Sequence, residues 1–191
     1  MKRCALVACM AVLSVPACAP VQPVKPAAPA VSPQQRLSAV LAAAGGDDKE
    51  LSVQPLRDPE VEDLRMRAAQ AMSAHDYASS AEALNQALLI VADDPAVLQE
   101  RAEVALVQGE YERAETLAQR AVGLGSEVGP LCRRHWETIR QVRQARLDEA
   151  SAQPKVKDAA KQAGQVAFLA MQVAEATGKF ESCTVPGVNR M

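Results

Sequence analysis

The side chains able to do covalent or metal chemistry are few: five cysteines (Cys4, Cys9, Cys18, Cys132, Cys183) and two histidines (His75, His135) in 191 residues. A zinc site takes four ligands, usually in pairs about two to five residues apart. Cys132 and Cys183 are 51 apart and neither histidine stands at ligand spacing, so no metal is expected. No nucleophile lies beside a base in a recognisable arrangement. His135, between Arg134 and Trp136 on a helical stretch, reads as a solvated surface histidine. The segment Gly123-Leu124-Gly125-Ser126-Glu127-Val128-Gly129 has the glycines of a phosphate loop, but it follows a helix and its spacing is one residue too long for a dinucleotide fingerprint. It reads as a helix-ending turn. Gly45-Gly46-Asp47-Asp48-Lys49 lacks the Gly-Lys-Ser/Thr of a phosphate loop and reads as a loop. The expectation is a protein without catalysis and without a cofactor.

At the N-terminus, Lys2 and Arg3 precede an apolar run from Cys4 to Val15, which is the order of a secretory signal and too short to span a bilayer. The run ends in Val15-Pro16-Ala17-Cys18, which resembles the lipobox of bacterial lipoproteins, with Pro16 in place of the usual small or branched residue. The resemblance implies a signal peptide over 1–17, cleavage before Cys18, a diacylated thiol and an acylated amine. Several chains on one residue give the stable membrane attachment that one chain does not. An ordinary secretory signal cut near Ala17 or Ala19 is the alternative. Between Cys18 and Pro33, prolines at 20, 23, 26, 29 and 33 favour extended polyproline II and deny a helix its hydrogen bonds. This stalk would hold a domain up to roughly 45 Å from a membrane. Ala19 after the cysteine implies, by the sorting habit of enterobacterial lipoproteins, an outer-membrane protein facing the periplasm. Cys4 and Cys9 then leave with the signal and Cys18 carries lipid. Cys132 and Cys183 remain as a disulfide candidate in an oxidising compartment, the alternative being two buried free thiols.

The elements that must position these residues are helices. Aromatic residues make up 3% of the chain, too few for a β-sandwich or barrel core, and Ala, Leu, Gln, Glu and Arg fill the sequence. A shift of 34 residues sets Leu64 on Leu98, Arg67 on Arg101, Ala68 on Ala102, Ala71 on Ala105, Tyr77 on Tyr111 and Ala87 on Ala121. Each unit reads as an apolar-periodic helix, a turn, and a second helix opened by Tyr. This period, and the segment from Gly109 to Ala114 followed by Ala118 and Ala121, resemble the tetratricopeptide repeat. Leu64 and Leu98 stand where that family has Trp, and Arg67 and Arg101 where it has Leu. The resemblance implies an all-α, right-handed helix-turn-helix solenoid, with repeats at about 61–94 and 95–128 and a degenerate third unit over 129–152. Trp136, Ile139 and Val142 give that third unit an apolar face.

Boundary signals agree. Asp58-Pro59 and Asp94-Pro95 pair an N-cap with a first-turn proline. Ser32-Pro33 starts a short helix through Ala44, stopped by Gly45-Gly46, with an acidic loop following to residue 57. After Pro154, a helix over about 156–177 ends at Gly178. Its stretch from Ala163 to Ala174 is apolar on most sides, which predicts a buried helix capping the stack, with Cys183 beyond it tied to Cys132.

In tetratricopeptide proteins the first helix of each unit lines a concave groove that takes a peptide or another helix. Carried onto this chain, the groove positions are Arg65, Ala69 and Met72, then Gln99, Glu103 and Leu106, then Arg133, Glu137 and Arg140. The ordered Lys and Asn residues with which some family members clamp a C-terminal carboxylate are missing. A net charge of −2 gives no global basic field for nucleic acid. The functional expectation is a lipid-anchored adaptor that binds a protein or peptide in the cell envelope. The alternative is a passive envelope component that self-associates through its C-terminal helix.

Overall fold

A computed structural model describes residues 31–45, 58–153 and 158–184. Cys18, the signal-like segment and the proline-rich stretch lie outside the described residues. Seven helices and no strand are present among those described: α1 (Pro33–Ala43), α2 (Pro59–Ser73), α3 (Tyr77–Ile90), α4 (Pro95–Val107), α5 (Tyr111–Leu124), α6 (Pro130–Ala152) and α7 (Ala159–Ser182). The protein is all-α and built from successive helix pairs.

The pairs begin where local chemistry places them. Asp58 and Asp94 each accept a backbone N–H through the side chain and are followed by proline at the first helical position, where the missing N–H costs nothing. Asp76 and Asp158 cap α3 and α7 in the same way. Ser32 and Gln35 form a reciprocal capping box at α1. Within the first two pairs the turn needs one residue in the left-handed region. The second uses Gly109 at φ 77° and the first places His75 there at φ 60°. A side chain tolerates that region poorly, and His75 holds it with its Nδ1 at 2.9 Å from the Tyr77 hydroxyl.

Packing runs pair to pair. Val61, Leu64 and Ala68 of α2 meet Ala81, Leu84 and Ala87 of α3 and Val97 and Val104 of α4. On α5 the fully buried residues are Ala114, Ala118 and Ala121, small enough to let the helix approach α4 closely. The third pair is α6 with α7, longer than the others at 23 and 24 residues. They run antiparallel, because Cys132 at the start of α6 is joined by a disulfide to Cys183 just past the end of α7, with Cα atoms 5.7 Å apart. The Gly129 N–H also donates to the Cys183 carbonyl at 2.9 Å.

The sequence predicts a last helix that stops at Gly178 and is buried, and the structure has neither. Gly178 does not stop the last helix, which continues to Ser182 with Phe180 half-buried and Cys183 bonded beyond it. Nor is α7 buried. Only Ala176 is buried within it, while Phe168 is 54% and Met171 61% exposed. An apolar sequence on most sides predicts burial only if neighbours exist on most sides, and α7 is the last helix of the stack.

The short α1 does not belong to a pair. It lies against α4 and α6. Leu37 and Val40 face inward, and burial of two such side chains contributes about 1.5–3 kcal/mol each. Arg36, only 3% exposed, reaches Asp148 at 2.6 Å and the Gln141 carbonyl at 3.2 Å. A helix of 11 residues is too short to persist alone, so α1 depends on that seat.

Closing a loop between positions 51 apart is worth up to about 4 kcal/mol in the chain-entropy view. Replacing Cys132 and Cys183 together by Ala is expected to lower unfolding stability by about 2–4 kcal/mol in urea titrations. A double variant as stable as the oxidised protein would contradict a structural role for the bond.

Candidate functional site

Helices α2, α4 and α6 stand side by side and present their inner faces together. Across that row the polar residues pair from helix to helix. Arg65 of α2 grips Glu100 of α4 with two N–H groups, at 3.0 and 2.5 Å, and Glu62 with a third at 2.7 Å. The bond to Glu100 outweighs partial burial and raises the Arg65 guanidinium above its ordinary value, so its charge is permanent. One step along, Arg134 of α6 forks onto Glu103 of α4 at 2.9 and 2.6 Å. Glu103 is 3% exposed and satisfied by that fork together with the Gln99 amide at 2.9 Å. A carboxylate so buried would be strongly destabilising unpaired.

Behind the Glu103 pair lies a polar seam. The Gln99 Nε2 donates to Glu103 and to the Thr138 hydroxyl at 2.8 Å, so its Oε1 is the acceptor that meets His135 Nδ1 at 2.7 Å. This pattern places the His135 proton on Nδ1. His135 is therefore not a surface residue: it is fully buried, its Nε2 has no partner, and that nitrogen faces Gly125, where a Cβ would come within 3.1 Å of it. Burial, assisted by the Arg134 charge, pushes the imidazole down to about 4.

Beside α1, between it and α2, the inner face is open as a slot of about 520 Å³. Its walls are mainly apolar, from Leu37, Leu41, Ala69, Met72, Tyr77 and Leu84. The Arg65–Glu100 and Arg134–Glu103 pairs also line it, their charges mutually satisfied. Such a slot suits an apolar side chain or short segment, not a free ion.

The positions carried over for the groove fall into three groups. Arg65, Ala69, Met72 and Glu103 line the open slot. Leu106 is fully buried in one cluster with Val40 of α1 and Val142 of α6, and Arg133 donates to the Ala43 and Ala44 carbonyls at 3.0 and 2.7 Å. These two are the floor and end clamp of the seat that α1 occupies. Gln99 lies inside the α4–α6 seam, while Glu137 is buried and held by Arg140 at 2.6 and 2.7 Å and by Gln141 at 2.7 Å. Arg140 is part-exposed on α6.

Sequence reasoning did not find the docking of α1, nor Arg36 as the side chain that orients it. A capped short helix with Leu37 and Val40 three apart was visible; its landing place was not. Among the described residues no cluster of three metal-ligating side chains exists, and none of the helices is long and apolar enough to cross a membrane.

Fold and site together define an all-α helical-repeat protein with an open, mainly apolar slot beside α1. No protein-family model matches the chain, and no curated protein matches it significantly.

The unfolded His135 takes up a proton near its ordinary value of 6.5 and the folded one near 4, so its contribution to stability is full above about pH 6.5 and is lost as pH falls toward 4. Between pH 7 and pH 5 the loss should be about 2 kcal/mol. In chemical denaturation, His135→Gln is expected to lack that part of the pH dependence. Parallel wild-type and variant curves between these pH values would contradict a buried neutral imidazole.

Proposed function

We propose that this protein is a lipid-anchored adaptor of the cell envelope, facing the periplasm, that holds a partner protein or peptide against its concave face without catalysing a reaction. The observation that carries the reading is the open slot between α1 and α2. It has mainly apolar walls, and the charges that also line it are already paired with one another. Nothing at the slot asks for a charged small molecule, and the exposed apolar wall favours a partner that brings side chains of its own. The helix pairs, the 34-residue period and the tyrosines opening α3 and α5 support a tetratricopeptide kind of repeat as the scaffold. The lipobox-like Val15-Pro16-Ala17-Cys18 supports the anchor.

A second reading is favoured by one observation: Phe168 and Met171, three apart on α7, are both exposed. A pair like this suits self-association through the last helix, as in a passive envelope component.

One experiment addresses both. A photo-cross-linking residue placed at Ala69, on the slot, is expected to capture an envelope protein in cells, whereas the same residue at Gln119, on the outer side of α5, is expected to capture none. Capture of a second copy from position 171, with nothing from 69, would replace the adaptor reading with the self-associating one. Labelled palmitate should enter the wild type and not Cys18→Ser; equal incorporation would remove the anchor.

A further inference from the structure

We infer that the face formed by α4 and α6 is a docking site for a short amphipathic helix of defined chemistry, which α1 fills in cis and a partner helix of the same kind fills once α1 leaves. The inference rests on the reading of the concave side as the partner surface, and it names what that partner looks like.

The way α1 sits is that of a ligand. It touches α4 and α6 and pairs with no other helix, while α2 to α7 pack on one another in sequence and the last pair is closed by its own disulfide. Its inward stripe is Arg36, Leu37 and Val40, at one side of a single helix. Val40 is fully buried against Leu106 and Val142. Arg36 satisfies Asp148 and the Gln141 carbonyl toward the C-terminal half of α6. At the other end Arg133, near the start of α6, donates to the carbonyls of Ala43 and Ala44.

That last contact reads backbone, not side chain. Any helix ending there offers the same unsatisfied carbonyls and the same negative dipole end to Arg133. The face therefore selects a helix that runs antiparallel to α6. Such a helix carries a cation near its start for Asp148, an aliphatic residue four positions later for the pocket over Leu106 and Val142, and last carbonyls left free for Arg133, as Ala43 and Ala44 are in α1. Residues 46–57 connect α1 to α2 in the same chain, and that covalent connection raises the effective concentration of α1 over a partner in trans.

The test uses the full chain and, as probe, a fluorescein-labelled peptide with the sequence of residues 31–45. Val40→Asp places a charge under α1 and empties the seat. The peptide is expected to bind this variant at least about tenfold more tightly than it binds wild type, whose seat is filled. A peptide carrying Arg36→Glu should bind Val40→Asp poorly and recover when Asp148→Arg is added to the chain. If Val40→Asp loses its helical circular dichroism, Arg36→Ala releases α1 without burying a charge and the same comparison is made there. Equal peptide affinity for wild type and the released variant, or no binding to a folded released variant, overturns the inference. Peptide binding here with no capture at position 69 would leave this site standing and remove the adaptor reading; the reverse would do the opposite.

Discussion

Helices α1, α3, α5 and α6 are placed by the need to surround α4. Eleven of its thirteen residues are buried, so it has little solvent face on which to place polar side chains. A helix buried on nearly all sides must be enclosed, and the three polar residues it buries, Gln99, Arg101 and Glu103, must find partners there. Gln99 takes His135 and Thr138, Glu103 takes Arg134, and Arg101 takes Asn85 at 2.9 Å and approaches Glu110 at 3.9 Å. These bonds fix the register of α6 and α3 against α4 more sharply than aliphatic contacts would, since a one-turn slip leaves a buried charge unpaired. Arg101 is the strained member. Its Nη1 has no partner, and burial holds its guanidinium below the ordinary value.

From that centre the rest of the architecture follows. The side of α4 facing α5 is met by Ala114, Ala118 and Ala121, because only small residues allow two helices to approach that closely. The side between α4 and α6 holds the polar seam. The remaining side carries Ala105 and Leu106, which cluster with Val40 of α1, Ala114 of α5 and Val142 of α6. The chain adds α1, from outside the helix pairs, as a further cover over that patch. The slot lies open beside α1 because α1 packs on α4 and α6 rather than on α2.

Legibility in the sequence tracks how local the determining chemistry is. Asp-Pro at 58–59 and 94–95, the Ser32 capping box and the tyrosines at 77 and 111 act within one turn, and they announce helix starts that the fold keeps. The glycine-containing turn after Leu124 is local too. His135 was misread because its neighbours Arg134 and Trp136 point to other sides of the helix. Its own side is shared with Ile139 and Val142, four and seven residues on, and that spacing places it on the buried stripe. The apolar run of α7 was misread for the opposite reason, since periodicity reports what a helix is able to bury and not how many neighbours it has. The seat of α1 depends on contacts such as Arg36 with Asp148, 112 residues apart, for which no local pattern exists.

Hydrogen exchange measured residue by residue on the intact, oxidised chain tests most directly whether α1 is a seated occupant of a stack that stands without it. Amides of α4 should open only with the whole fold, while those of α1 should exchange at least about tenfold faster through a local release. Equal protection of α1 and α4 would contradict this and make α1 an inseparable part of the core.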